Sequence, residues 1–369
     1  MKHPLDLKGR RLVICLGPGG VGKTTLCAAL SVYAAASGNA VDVMTVDPAP
    51  RLLDALGLDP ARAELQEVAL DGVAPETRGR GRTKARLRAL RLDPKRTFDT
   101  LVRRHAPSDT ARDAILGNRI YQNLSSALSG VGDYMAMEKL LDLVAERTTD
   151  LVVIDTPPAA QALDFLDAPR RLLDLLNSRA LSLLGSSRGL MRGGFRMFDI
   201  AARAVLSAFD RVTGLHLLAD VQSFVTSFEG MYAGFAERAE IAGQLLRAPE
   251  TMVVLVTAPE SERLEQTREF VRALAESGLG VDALVVNRVM PRMPKAAEIE
   301  SAPIPAALKR KLARNLKDFS ALKEREERAL EQLKTDLPPD VRIMVAPDLG
   351  REPRSLSDLL EIARRLETP

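Results

Sequence analysis

Gly17-Pro18-Gly19-Gly20-Val21-Gly22-Lys23-Thr24-Thr25 is the stretch from which the fold follows. The spacing Gly17-x4-Gly22-Lys23-Thr24 is the complete P-loop pattern. The residues before it, Arg11 to Leu16, form a short apolar run of strand type. The run after it, Lys23 to Ala36, is rich in Ala and Leu and ends at Ser37-Gly38, as a helix does. Glycines at Gly17, Gly19, Gly20 and Gly22 keep side chains away from a bound anion and permit positive φ. The following helix points its positive end at the same place. Lys23 then supplies a point charge for β- and γ-phosphates, and the Thr24 hydroxyl can ligate magnesium. Val21 and Thr25 complete the cradle. The bland alternative is a glycine-rich turn, which explains neither the Lys nor the Thr.

Composition narrows the class. The chain has 369 residues, enough for one large domain or two ordinary ones, and 46% are hydrophobic, enough for a sizeable core. The 52 basic and 49 acidic residues leave a formal charge of only +3, so nothing demands nucleic acid as a partner. Two cysteines, Cys15 and Cys27, lie in the first strand and first helix, where they read as small buried hydrophobes. With His3, His105 and His216 scattered, no zinc spacing exists, and no zinc is expected. No apolar run reaches transmembrane length and the amino terminus lacks a signal-peptide core. A cytoplasmic protein without stable membrane insertion is expected.

Apolar runs of strand type recur at Val41 to Val46, Leu151 to Ile154, Met252 to Val256, Ala283 to Val286 and Val341 to Val345, with a weaker candidate at Leu87 to Leu92. Helical stretches separate them. The pattern predicts an α/β fold with a mainly parallel sheet of about seven strands flanked by helices. Ligands of such sheets sit beyond the carboxyl ends of the strands. The P-loop, Asp47, Asp155, Asn287 and Pro347 all follow strands there. Residues 97–146 and 162–249 read instead as an inserted helical subdomain for a client or partner. The nucleotide-binding core comprises 1–96, 147–161 and 250–369. Gly72 to Arg86 reads as a surface loop or hairpin, and Ala306 to Leu337 as one or two solvated helices, with partner docking as the sharper reading.

Two acidic residues complement the loop. Leu151-Val-Val-Ile-Asp155 is an apolar strand ending in Asp, as expected of a Walker B element holding magnesium through water; an Asp capping the next helix is the simpler alternative. Val43-Met-Thr-Val-Asp47-Pro-Ala-Pro-Arg51 also ends a strand in Asp. Asp47 could orient a water opposite the γ-phosphate, or merely cap the helix beginning near Arg51.

With these residues in view, the chain resembles the deviant P-loop ATPases typified by the arsenite-pump subunit ArsA, the tail-anchored-protein targeting ATPases, and MinD and ParA. Those carry Gly-Lys-Gly-Gly-Val-Gly-Lys-Thr-Thr where this chain has Gly17 to Thr25. Asp47-Pro-Ala-Pro-Arg-Leu-Leu-Asp-Ala-Leu-Gly57 is similar to the ArsA-type switch I, and Asp155-Thr-Pro-Pro occupies the switch II position. Val286-Asn287-Arg288 resembles the strand end that reads adenine. Ala346-Pro347 opens what looks like the loop closing over the base. Tyr121-Gln-Asn-Leu-Ser-Ser and the stretch from Phe228 are similar to bacterial anion-transporting ATPase homologues. The resemblance implies ATP or ADP with magnesium, Asp47 as the water-activating carboxylate, and Asn287, Arg288 and Pro347 around the base. It implies a homodimer, or a heterodimer with a paralogous ATPase, that changes shape with ATP to handle a client. MinD- or ParA-like positioning is disfavoured by the long helical insertion.

The chain also departs from that family. The signature lysine that reaches the partner's phosphates is replaced by Pro18, which has neither charge nor N–H. A trans cation is worth roughly 10³ to 10⁵ in rate in other NTPases. Slow hydrolysis, a substitute such as Arg51, or a lysine-bearing paralogue paired with a weakly hydrolysing regulatory subunit are the readings that follow. Two cysteines cannot build an arsenite site, and the Cys-x-x-Cys zinc pair of the targeting ATPases has no counterpart. The usual Thr-Gly-His after switch II is Ala159-Ala160-Gln161. Between Ala180 and Phe235, Leu, Met and Phe side chains suggest either the subdomain's own core or a groove for an apolar helix of a client.

Overall fold

A computed structural model describes residues 5–73, 85–119, 121–122, 129–146, 148–176, 227–228 and 230–367. The chain forms two compact units. One comprises Met1–Arg91, Leu143–Leu163 and Pro249–Pro369, and the other Leu92–Asp142 and Asp164–Ala248. Among the described residues no helix is long and apolar enough to cross a membrane.

The first unit is built on one sheet. Its strands are β1 (Leu12–Leu16), β2 (Ala40–Thr45), β3 (Gln66–Glu67), β4 (Arg86–Arg91), β5 (Leu151–Asp155), β6 (Thr251–Thr257), β7 (Ala283–Val289) and β8 (Arg342–Pro347). Their spatial order is β3-β4-β2-β5-β1-β6-β7-β8, with every pairing parallel except the short β3–β4 edge. The sheet therefore has eight strands where the apolar runs suggest about seven. The extra strand has two polar residues and no apolar run to announce it. β1, β2, β5 and β6 are buried along their whole length, so both faces of β1, β5 and β6 are mostly Leu, Val and Ile, and no alternation survives. The helix α1 (Lys23–Ala36) lies against this sheet and buries Leu26, Leu30 and Val32 together with its alanines. It stops where Gly38, at φ 97°, takes the left-handed turn that Cβ-bearing residues avoid.

One charge inside the sheet needs an explanation. Asp42 on β2 is fully buried, which is costly for an unpaired carboxylate. Arg88 on β4 donates to both its oxygens at 2.8 and 2.7 Å, and Thr149 adds a third bond at 2.7 Å. Arg88 also reaches Glu146 at 2.9 Å, and these carboxylates hold its guanidinium in the charged form. The alternation in Arg-Leu-Arg-Ala-Leu-Arg thus places Leu87 and Ala89 in the core while Arg88 neutralises a neighbour.

The remaining helices of the first unit are α2 (Arg51–Ala55), α8 (Ser261–Glu276), α9 (Ala296–Ser301), α10 (Ala306–Asp336) and α11 (Leu356–Arg364). The charged stretch after Ala306 is thus one continuous helix. The second unit holds α3 (Pro94–His105), α4 (Asp109–Gly117), α7 (Tyr232–Arg247) and the greater parts of α5 (Ser129–Ala145) and α6 (Ala159–Leu176). Asp93 and Ser108 cap α3 and α4 by accepting from Arg96 and Ala111 backbone N–H groups at 2.9 and 3.1 Å. Phe98 packs edge-on against Tyr121, with centroids 4.9 Å apart, and Phe228 stacks on Phe235 at 5.1 Å. Met231 and Phe235 are core residues of this unit, and the partly buried Phe228 packs against them. The other apolar residues considered for a client groove, Leu181 to Phe224, lie outside the described residues.

Asp133 on α5 illustrates how this unit responds to pH. Burial, and secondarily the charge of Asp164, push its carboxyl from 3.8 up to about 6, against the pull of Arg171. A carboxyl raised in the folded state contributes stability below its ordinary pKa and loses it as pH rises through 6. Asp133→Asn is expected to leave thermal unfolding of the full chain nearly unchanged near pH 4 and to stabilise it near pH 8. Because the group is half-exposed, the gain is on the order of 1–2 kcal/mol. Equal effects at both pH values would contradict this reading.

Candidate nucleotide site

The candidate residues gather where β1, β2 and β5 end, within the first unit. β1 delivers the chain to Gly17 at φ 146°, where a Cβ would lie 2.0 Å from the Val256 carbonyl oxygen of β6. Only glycine fits there. Gly22, at φ 92°, begins α1, and a Cβ on it would meet the Asn287 amide nitrogen at 2.3 Å. The first turn of α1 contains no acidic residue, and no side chain caps it. Its first backbone N–H groups are thus left without a side-chain cap.

Lys23 is nearly buried, and its Nζ donates to the Pro18 carbonyl at 2.8 Å. Burial lowers its pKa, with the charge of Asp155 acting in the opposite sense. A buried ammonium given one neutral acceptor for its three protons is suited to a polyanion. Thr24 donates through Oγ1 to Asp155 Oδ2 at 2.8 Å, and Thr45 of β2 donates to the same oxygen at 3.0 Å. Asp155 is fully buried, and that burial raises its pKa against the two hydroxyl bonds. Two hydroxyls and a carboxylate at one point make an all-oxygen donor set, which suits magnesium rather than a soft metal.

Asp47 lies two residues beyond β2. Its Oδ1 accepts from the Ala49 backbone N–H at 2.9 Å, closing a local turn, and its own N–H donates to Thr45 Oγ1 at 3.2 Å. Arg91 steadies the same loop by donating to the Pro48 carbonyl at 2.8 Å. Arg51 opens α2 and is exposed. Gly19 and Gly20 are the more open positions of the loop, with nothing within 4 Å of a Cβ at Gly20. Thr25 is half-buried in the first turn of α1.

The structure also joins two motifs that are far apart in sequence. Asn287 donates through Nδ2 to the Val21 carbonyl at 2.8 Å, tying the end of β7 to the phosphate loop. Beyond it Arg288 has φ 59°, the only non-glycine positive φ among the described residues, at a break in the β7–β8 register. Pro347 ends β8 beside Val289. No bond links Arg288 or Pro347 to the loop. Two further residues join the site without a sequence signal: Thr45, marked only by a hydroxyl at the end of β2, and Thr156, which donates to the Cys15 carbonyl at 2.7 Å. Among the described residues no group of three or more His, Cys, Asp or Glu side chains could hold a metal, and Cys15 and Cys27 are free and buried.

These contacts rank the loop glycines. Gly17→Ala sets a Cβ against backbone, so it is expected to cost about 3 kcal/mol or more, or to prevent folding. Gly20→Ala, at φ 78° in open space, meets only the left-handed penalty of about 1–2 kcal/mol. Urea unfolding of the two variants tests the order, and equal losses would contradict it.

Comparison with known proteins places the chain in a family. The family model described as anion-transporting ATPase matches residues 10–318. The chain is 25% identical over 322 residues to the ATPase GET3 of Malassezia globosa, covering 87% of this chain and 85% of that protein. It is 23% identical over 365 residues to the ATPase GET3 of Chaetomium globosum, covering 99% and 92% respectively. An uncharacterized protein of Streptomyces coelicolor is 28% identical over 357 residues, covering 96% of this chain and 75% of that one. The match spans β1 to α10 and includes the phosphate loop, Asp47, Asp155 and Asn287, so the chain belongs to the anion-transporting ATPase family.

Proposed function

We propose that this ATPase is a magnesium-dependent nucleotide switch of the ArsA and tail-anchored-targeting type. The observation that carries the reading is the convergence of Lys23, Thr24 and Asp155 at the start of an uncapped helix. Lys23 and the amides from Gly19 to Thr25 hold the phosphates. Thr24 would ligate the ion, and Asp155 would hold it through water. Magnesium, when bound, neutralises phosphate charge as the γ-phosphoryl group leaves. Asp47 has Oδ1 engaged with Ala49, which leaves Oδ2 to position the attacking water and accept its proton. Asn287 donates one amide hydrogen to Val21 and keeps its carbonyl oxygen for the adenine amino group. Arg288 and Pro347 flank the base.

The finer role is part of the same proposal. The chain acts in the cytoplasm as a dimer controlled by ATP, its core being 1–96, 147–161 and 250–369. Residues 97–146 and 162–249 form the client-handling subdomain. Both GET3 relatives are named ATPases, which supports hydrolysis as the driver.

Pro18 favours a second reading. It is buried, and its carbonyl is taken by Lys23, so this position offers no cation to a neighbouring subunit. The chain would then be a weakly hydrolysing regulatory subunit paired with a lysine-bearing paralogue. Solution mass and ATP turnover of the purified chain, with and without magnesium-ATP, separate the two. A hydrolysing homodimer supports the switch, and a monomer or silent dimer supports the regulatory subunit.

Two variants test the site itself. Lys23→Ala is expected to weaken magnesium-ATP binding at least about tenfold, since each charged hydrogen bond contributes about 1.5–3 kcal/mol. Asp47→Asn is expected to keep binding and slow turnover by about 10² or more. Unchanged binding in the first variant, measured by calorimetry, would remove the basis of the proposal.

A further inference from the structure

Among the described residues five large apolar side chains are exposed, and four of them lie on α10: Leu308, Leu312, Phe319 and Leu322, at 42, 38, 46 and 49%. At 100° per residue these four fall within about 80° of one another, on one stripe of the helix. The same stripe continues through Glu326, Leu330 and Leu333, which are buried in the carboxyl-terminal half. The helix thus packs its apolar face on the unit for its last three turns and carries that face into solvent for the first four or so.

The base of this helix is firmly set. Both carboxylate oxygens of Glu326 accept from the Met290 backbone N–H at 3.1 Å, and Lys323 donates to the Met290 carbonyl at 2.8 Å. The amino-terminal half is charged in one sense. Between Ala306 and Leu322 stand Lys309, Arg310, Lys311, Arg314 and Lys317 against the single acid Asp318. On the helix these five cations are spread around the whole polar circumference rather than along the two borders of the apolar stripe.

We propose that the amino-terminal half of α10 docks on an anionic lipid surface. Leucine and phenylalanine side chains enter the headgroup boundary, Lys309 and Lys311 nearest the stripe meet lipid phosphates, and the remaining cations add to the attraction of the anionic surface. Charge complementarity selects this occupant. A second copy of the chain would bring five cations against five. A single packed helix of another protein would reach only the cations bordering the stripe, whereas an extended anionic surface draws on the full set. The proposal does not depend on the nucleotide reading.

The test is co-sedimentation of the full chain with vesicles of phosphatidylcholine and phosphatidylglycerol, compared with phosphatidylcholine alone. The expected result is at least about tenfold more binding to the anionic vesicles, weakening as salt rises. The pair Phe319→Asp and Leu322→Asp is expected to remove that binding, as is the set Lys309→Glu, Lys311→Glu and Arg314→Glu. All these positions are half-buried or exposed, so helicity by circular dichroism should be unchanged. Equal binding to both vesicles, or full binding by the aspartate pair, would overturn the proposal. So would a dimer in solution that the aspartate pair dissociates, which would assign the stripe to a second copy.

Discussion

A single carboxylate oxygen organises the site. Asp155 Oδ2 accepts from Thr24 of α1 and from Thr45 of β2, and Asp155 itself ends β5. Three elements thus meet at one buried acceptor, and the backbone extends the join. Val46 donates to the Asp155 carbonyl at 3.0 Å, which fixes where β2 releases the chain toward Asp47. A buried carboxylate without those donors would be protonated or would draw in water. The sheet tolerates Asp155 because the donors are in place, and the donors are in place because β1, β2 and β5 lie side by side.

The same logic holds at a distance from the site. Asp42 is the other fully buried carboxylate of the sheet, and it is neutralised by Arg88 and Thr149. One buried acid is therefore fully engaged in the architecture, and the other is the one the proposed site would use. The difference lies in their partners. Asp42 is met by a guanidinium that takes both oxygens, which leaves nothing for a ligand. Asp155 is met by hydroxyls, which are donors that a metal ion can replace as ligands.

The sheet was legible in the sequence wherever strands are buried on both faces, because Leu12–Leu16, Leu151–Asp155 and Thr251–Thr257 are unbroken apolar runs. β3 was not, since a two-residue edge strand of Gln66 and Glu67 has no hydrophobic signature. The phosphate loop and Asp155 stand out from spacing because each lies at one strand end, whereas spacing leaves Asp47 between a water-positioning and a capping role, and only the family resemblance favours the first. The Asn287–Val21 and Thr45–Asp155 bonds could not be read from spacing, because they join positions 266 and 110 residues apart that only the strand order brings together. The exposure of the first half of α10 was equally hidden. Its leucines follow the helical period in both halves, and only packing tells which half is covered.

The central claim is that Asp155 and Thr24 form the magnesium side of a nucleotide site. Calorimetric titration of ATP into the wild-type chain and Asp155→Asn, each with magnesium and with a chelator, tests it most directly. The account predicts that magnesium tightens ATP binding to the wild type, and that Asp155→Asn binds ATP as the chelated wild type does, with no gain from magnesium. A magnesium-dependent gain of equal size in both proteins would contradict it.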